Sequence, residues 1–357
     1  MQVFGPRGRG VKIDPPIFIP GGCRLVKSSV PTNSRFAPYA WGVVAFNLLV
    51  IVWGAFVRAS GSGAGCGSHW PLCNGQTVPL APEFETFVEF THRATSGVAL
   101  LLVFGLAVWA FRAFPKGHLA RLGAVASVVF ILIEALIGAG LVLFGLVKDD
   151  DSVARAVWLG VHLVNTFLLI AALALTAWWG SAAGEGARAW RGGPRAPRRL
   201  AWLCAASLAG VLVVGVSGAV AALGDTLFPA ASLAEGFRQD FSETAHVLVR
   251  LRILHPALAL AAAVLAVMTA VVALRTRTQV WPRRWAAALA LLVCVQLAAG
   301  LLNLLLLAPV WLQLVHLLLA DLLWLSLVLL TATALEGAEQ EAADPARVGL
   351  LAAEAEV

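Results

Sequence analysis

Four histidines occupy matching places in the apolar part of this sequence. Each lies near one end of a long hydrophobic segment, and they form two pairs, His92 with His162 and His255 with His316. An ionisable imidazole inside a membrane-spanning helix is costly unless something uses it, so it marks a functional site by default. Paired imidazoles on neighbouring helices are typical of a site for a planar metal cofactor, and heme with two axial histidines is the leading candidate. For any one histidine alone, a hydrogen bond to a neighbouring helix would be the better explanation.

An acidic residue accompanies only the first pair. Glu89 precedes His92 by three residues, so both side chains can project from one helical face, where the carboxylate could exchange protons beside a heme. Taken alone, Glu89 is explained more simply as a carboxylate that stabilises the helix dipole. The equivalent position in the second half is Arg252. The two sites are therefore chemically unequal, which suggests one reactive site and one supporting site.

The segment before His92 carries two cysteines, Cys66 and Cys73. On an oxidising face of a membrane, two cysteines this close are expected to form a disulfide. Together with His69 they could instead bind zinc or copper, but only three ligands are present where a structural zinc site uses four. We rank the disulfide first.

The composition places these residues in a membrane protein. The 357-residue chain is 60% hydrophobic and 13% charged, with a mean hydropathy of +0.84, whereas soluble domains average about a quarter charged residues. The net charge of +6 comes from arginines clustered in loops between apolar segments, which is how membrane topology is encoded. We therefore exclude nucleic acid as a partner and expect membrane lipid.

Eight segments have the roughly 20 apolar residues needed to cross a bilayer. They cover about 38–57, 91–111, 121–144, 156–178, 200–222, 250–273, 284–306 and 310–332. The connections after the second, fourth and sixth segments are basic, and the third and fifth connections are acidic. By the positive-inside rule we predict a multi-pass protein of the plasma (inner) membrane with both termini in the cytoplasm. All four histidines then lie one to two helical turns inside the outer face.

The two halves of the chain share landmarks in register, which predicts an internal duplication. The matched pairs are Gly54 with Gly218, His92 with His255, Glu134 with Gln296, Gly138 with Gly300, and His162 with His316. We predict an all-α membrane protein whose two parallel four-helix-bundle repeats are related by a pseudo-twofold axis along the membrane normal. The predicted regions are a disordered cytoplasmic tail at 1–37, the N-terminal half at 38–180, a basic linker at 181–199, the C-terminal half at 200–333 and an acidic cytoplasmic tail at 334–357.

The motifs around these residues resemble the heme A synthase family. The similarity spans about residues 40–332 and includes the outer loop that ends in Trp70-Pro71-Leu72-Cys73-Asn74-Gly75, Glu89-x-x-His92-Arg93, His162-Leu163-Val164-Asn165, the run Arg250 to Pro256, and the run His316 to Trp324. His69 is a departure, because an acidic or amide residue is usual before this tryptophan.

The resemblance implies a specific reaction, in which a ring methyl group of heme O is oxidised to a formyl group to give heme A for terminal oxidases. The N-terminal half would hold the substrate heme O through His92 and His162, with Glu89 as the catalytic residue. The C-terminal half would hold heme b, with its iron bound by His255 and His316. The candidate partners of the heme propionates are Arg93, Arg250 and Arg252. A heme O synthase would be the heme donor, and the electron donor and any homo-oligomer are left open.

Two other functions are compatible with paired histidines. A diheme b-type membrane cytochrome would transfer electrons without modifying the heme ring, and a heme-handling chaperone would carry heme without turnover. The presence of Glu89 in one half only, together with the Cys66–Cys73 loop, favours the membrane-bound oxidoreductase.

Overall fold

The structure, a computed structural model, describes residues 35–181, Gly184 and residues 198–342, the last seven by their backbone only. Within these residues the secondary structure is helical, apart from an isolated β-bridge between Cys73 and Gln76. Most of the predicted tail at 1–37, of the linker at 181–199 and of the tail at 334–357 lies outside the described residues.

Ten α-helices and a short 3-10 turn at Ser62–Ala64 account for most of the described chain. The helices are α1 (Phe36–Ala59), α2 (Phe84–Ala113), α3 (Leu119–Leu143), α4 (Val153–Trp179), α5 (Arg198–Leu227), α6 (Leu233–Asp240), α7 (Val247–Arg252), α8 (Leu254–Thr276), α9 (Val280–Leu305) and α10 (Val310–Ala342).

Eight of the helical segments are long and apolar enough to cross a membrane, with α7 and α8 together forming one of them at Val247–Thr276. This confirms the eight predicted spans and identifies a multi-pass membrane protein. The largest difference at the start of a span is at α2, which begins at Phe84 rather than near residue 91. Its first two turns contain Glu85 and Glu89, and these acidic residues lower the local hydropathy although the backbone is already helical.

The sixth span is interrupted at Ile253, between α7 and α8. Pro256 is the cause, because a proline has no N–H to donate to the carbonyl of Arg252, four residues earlier, and its ring collides with that carbonyl. His255 therefore lies directly after a break in its helix, at the start of α8.

The helices pack as two four-helix bundles with the same order of neighbours. In the first, α1 contacts α2, α2 contacts α3, α3 contacts α4, and α4 closes the ring on α1. In the second, α5, α8, α9 and α10 follow in the same cyclic order. The bundles meet mainly through α4, which contacts both α5 and α10. The four-helix halves are thus present, and the pseudo-twofold axis itself stays a prediction.

The contact between the bundles contains two polar anchors. Trp324 on α10 donates its indole N–H to the carbonyl of Phe167 on α4 at 2.7 Å, and the two rings stack with centroids 5.2 Å apart. Nearer the ends of the spans, the guanidinium of Arg58 on α1 donates to Thr226 on α5 at 2.8 Å and to Gln313 on α10 at 2.9 Å. Hydrogen bonds of this kind hold membrane helices together where the hydrophobic effect cannot.

Candidate functional site

The second histidine pair has the spacing that two ligands of one metal require. The ring centroids of His255 and His316 lie 6.5 Å apart, with the rings nearly perpendicular at 82°. Two imidazoles on opposite sides of one iron, with metal–nitrogen bonds of about 2 Å, have ring centres about 6.4 Å apart. Ser217 lies 3.0 Å from Nδ1 of His255, the nitrogen that a metal ligand uses to fix its orientation. The residues present therefore fit a heme between α8 and α10.

A glycine of the neighbouring helix faces each of the four histidines. A Cβ atom built on Gly54 would lie 2.8 Å from Cε1 of His92, and one on Gly218 would lie 2.9 Å from Cε1 of His255. The same holds less tightly for Gly300 with His316 at 3.1 Å and for Gly138 with His162 at 3.9 Å. These are the glycines that matched between the two halves in the sequence. Their lack of a side chain leaves room for the imidazole rings between the helices.

The first histidine pair is surrounded by more polar groups than the second. His92 is half-buried, and its Nδ1 has no hydrogen-bond partner among the described residues. Nε2 of His162 lies 2.9 Å from a carboxylate oxygen of Glu134 on α3. Sequence reasoning used Glu134 only as a landmark of the repeat and assigned it no role. Its position as the one acidic residue in an otherwise apolar span was the signal.

Glu89 lies against the cysteine loop. Its side chain is buried, one oxygen accepts a hydrogen bond from the backbone N–H of Cys66 at 2.8 Å, and the other pairs with the guanidinium of Arg93. Arg93 also donates to the carbonyls of His69 and Leu72, at 2.7 and 2.8 Å. The carboxylate therefore connects the N-terminal end of α2 to the cysteine loop.

The predicted disulfide between Cys66 and Cys73 is present. It closes the loop that Glu89 and Arg93 hold, and Thr86 adds a third contact by donating to the carbonyl of Gly65 at 2.7 Å. The loop is thus fixed to α2 at three points. The second half has no equivalent cysteine pair in the described part of the chain.

Of the three arginines predicted to bind propionates, two are bonded to other residues of the chain and one is exposed. Arg252 forms ion pairs with Asp240 of α6 at 2.5 Å and with Asp225 of α5 at 3.1 Å, which attach both helices to the start of the sixth span. Arg93 holds the cysteine loop, as described above, and Arg250 is exposed. The prediction that these residues bind propionates stays a prediction.

Two arginines that sequence reasoning did not select lie on helices of the first bundle, α1 and α4. Arg155 is buried at the first turn of α4 and lies seven residues before His162, on the same helical face. Arg58 lies four residues after Gly54 on α1 and interacts electrostatically with Arg155. Arg58 donates to Thr226 and Gln313, and Arg155 donates to the carbonyls of Lys148 and Asp150. Guanidinium groups bind carboxylates well, so both residues are candidates for the heme propionates. Their helical spacing from His162 and Gly54 was the signal that could have identified them.

Asp321 is a second acidic residue without an assigned role. It is fully buried in α10, and neither carboxylate oxygen has a hydrogen-bond partner among the described residues. It lies five residues after His316 and three before Trp324, on the helix that joins the two bundles. Its position among leucines in the last span marks it as unusual in the sequence.

Comparison with known proteins identifies the family. The sequence pattern of COX15-CtaA, described as cytochrome oxidase assembly protein, matches residues 37–328. Proteins of two strains of Thermus thermophilus, both named protoheme IX farnesyltransferase, are 50% identical over 312 residues, which is 86% of this chain and 49% of theirs. The heme A synthase of Shouchella clausii is 47% identical over 98 residues, or 28% of this chain and 33% of that protein.

The heme A synthase of an Exiguobacterium species is 37% identical over 133 residues, covering 37% of this chain and 43% of that protein. This chain thus spans about half or less of the length of these curated relatives. The family pattern, by contrast, extends over both bundles and takes in all four histidines, Glu89 and the disulfide. The chain therefore belongs to the heme A synthase family of cytochrome oxidase assembly proteins.

Proposed function

We propose that this protein is a heme A synthase, a membrane-bound oxidoreductase that converts a ring methyl group of heme O to a formyl group. Each candidate site is a frame of two histidines faced by two glycines, and the charged groups around the two frames differ. This combination carries the proposal. One frame, with His92 and His162, would bind the substrate heme O. The other, with His255 and His316, would bind heme b, which supplies one-electron transfer when bound.

The residues of the chain would bind the substrate, cover it and accept the protons that its oxidation releases. Arg155, buried two turns before His162 on α4, would hold a propionate of the substrate heme, and Arg58 is a second candidate. The disulfide loop would cover the outer end of the site and limit the access of water. Oxidation of a methyl group releases protons. Glu89 lies three residues before His92 on α2, and its carboxylate is hydrogen-bonded to this loop. It would therefore accept protons at the outer end of the site.

The name of the Thermus relatives supports a partner for this reaction. Transfer of a farnesyl group to protoheme produces heme O, the substrate proposed here. Because this chain aligns with only 49% of those proteins, their remaining half is long enough to carry the transferase for which they are named. A heme O synthase that delivers its product to this chain is therefore the expected heme donor. The electron donor is unassigned, and the plasma membrane with both termini in the cytoplasm is the proposed setting.

The same name raises farnesyl transfer by this chain as a second candidate function. The two functions differ in their products, so one experiment separates them. The full chain would be expressed with and without a separate heme O synthase in cells that lack both activities, and extracted hemes would be identified by mass spectrometry. Heme A formed only with the synthase present supports the oxidoreductase. Heme O formed by this chain alone would establish the transferase. Heme O without heme A in the culture with the synthase, and protoheme alone in the other, would favour the electron-transfer cytochrome.

A variant of Glu89 tests the reactive half directly. Glu89→Gln keeps an oxygen that can accept the hydrogen bond from Cys66 but removes the proton-accepting carboxylate. We expect both hemes to bind and little heme A to form, with heme O or a hydroxylated intermediate accumulating. Glu85→Gln, one turn earlier on the exposed side of α2, is the matched control and should retain activity. Normal heme A from the Glu89 variant would remove this residue from the mechanism.

A further inference from the structure

The second histidine of each pair, His162 or His316, has a different side-chain partner. Nε2 of His162 lies 2.9 Å from a carboxylate oxygen of Glu134, whereas Nε2 of His316 lies 3.2 Å from the side-chain nitrogen of Gln296. Nε2 is the imidazole nitrogen that most often binds a metal. At matching places, the structure therefore sets a carboxylate against one such nitrogen and a neutral amide against the other.

The carboxylate of Glu134 is held in place by its neighbours on α4. Asn165 donates to Oε2 at 2.5 Å and Thr166 donates to Oε1, so that both oxygens are fixed on the side of His162. Asn165 in turn donates to the carbonyl of Phe130 at 2.9 Å, which keeps its amide in register with α3. In the second half, the residues at the positions of Asn165 and Thr166 are Leu319 and Ala320. Gln296 has no such support, and its oxygen has no hydrogen-bond partner among the described residues.

The two partners have opposite consequences for metal binding. An ionised carboxylate only accepts hydrogen bonds, so the nitrogen of His162 that faces Glu134 must carry the hydrogen. A nitrogen that carries hydrogen has no free lone pair for iron. An amide can present either a donor or an acceptor, and it competes for the imidazole more weakly than a charged group does. The group beyond the ligand thus determines which imidazole tautomer is present and how it is oriented.

We propose that Glu134 is a positioning residue that makes His162 an exchangeable ligand, while Gln296 leaves His316 permanently available. This inference rests on the proposed function of the first site as the substrate site. With His162 bound to Glu134, a heme held by His92 alone would leave one axial side free for water or oxygen. Return of His162 to the iron would require Nε2 to leave Glu134 and its hydrogen to move to Nδ1, with no change in net charge. The second site keeps both histidines on its iron and is closed to such ligands.

The proposal is tested by carbon monoxide binding to the reduced, heme-loaded full chain in detergent. In the wild type, one of the two hemes should bind carbon monoxide and the other should stay low-spin. His92→Ala should remove the reactive heme, which assigns it to the first site. Glu134→Gln should convert that heme to a low-spin form and reduce carbon monoxide binding at least tenfold. The reciprocal change Gln296→Glu should open the second heme to carbon monoxide.

The outcomes separate this inference from the function on which it rests. If Glu134→Gln leaves carbon monoxide binding unchanged while the heme b spectrum shows a folded protein, the role of Glu134 is wrong and the substrate site stands. An unreactive first heme in the wild type would equally overturn the open position. If His92→Ala changes neither heme content nor reactivity, the first pair does not bind heme, and the proposed function fails together with the inference. Should Glu134→Gln not fold, the Gln296→Glu spectrum decides alone.

Discussion

Replacement of Gly218 by alanine tests whether the glycines opposite the histidines define the heme sites. The new Cβ atom would lie 2.9 Å from Cε1 of His255, where ordinary contact begins at 3.4 Å. Either the imidazole or α5 must therefore move by about half an ångström, since close-packed helices have no spare volume. Because α5 is held against α8 by other contacts along its length, we expect the ring to move.

A shift of this size changes the packing of the helices little, but it is large compared with the variation of ligand distances in a metal site. Ligand distances in metal sites vary by only about 0.2 Å, and changes to the groups that orient a ligand weaken metal binding roughly 10–100-fold. We therefore expect heme b affinity to fall by that factor. Alanine in place of glycine within a helix stabilises it by about 1 kcal/mol, which offsets part of an overpacking cost of about 1–3 kcal/mol. The heme-free protein should thus unfold within a few degrees of the wild type.

The assay is the heme b absorbance per chain in purified protein, followed by thermal unfolding of the heme-free form. Gly210→Ala is the matched control, because it lies two turns earlier on α5 and its Cβ would meet Ala262 at an ordinary 3.6 Å. It should bind heme b normally. Full heme b content in Gly218→Ala would show that His255 does not depend on this contact. Equal losses in the two variants would show that alanine disturbs α5 as a whole.

Four further outcomes are expected. His255→Ala or His316→Ala should each remove the low-spin heme b spectrum while the protein still inserts into the membrane, and a surviving spectrum in both would refute the pair. Gly54→Ala should weaken substrate heme binding far more than Gly138→Ala, since their Cβ contacts are 2.8 and 3.9 Å; equal effects on bound heme O would contradict this. Peptide mass mapping without reductant should find Cys66 linked to Cys73, and free thiols at both would refute the link. Asp321→Asn should change the free energy of unfolding by less than about 1 kcal/mol, because neither carboxyl oxygen has a hydrogen bond to lose among the described residues; a loss of about 3–5 kcal/mol would reveal a cationic partner.

The eight spans and the positions of the histidines were predictable because they depend on properties that run along the chain. Apolar length marks a span, and register between the halves matched Gly54 with Gly218 before any contact was known. The disulfide was predictable for a similar reason, since Cys66 and Cys73 are close in sequence. Each of these features needs no knowledge of how one helix is rotated against another.

The contacts of polar side chains were harder to predict because they depend on helix rotation. Glu134 and His162 are 28 residues apart in sequence, and only the packing of α3 on α4 brings them together. Arg252 was expected to be available to a propionate, yet it pairs with Asp225 and Asp240 from segments that fold back over it. A local signal existed for Arg93 alone, because a carboxylate four residues before an arginine on a helix is a usual ion pair.

The polar groups beside the histidines differ in charge between the two sites. Both keep a histidine pair faced by glycines, which is the part that determines whether a heme can fit. Glu134 has a neutral counterpart in Gln296, and the carboxylate of Glu89 has a cationic counterpart in Arg252. On the proposed function, the shape common to the two sites would account for heme binding in each, and the carboxylates would account for reactivity in one. It follows that changes at the glycines should affect the amount of bound heme, whereas changes at Glu89 and Glu134 should affect what that heme can react with.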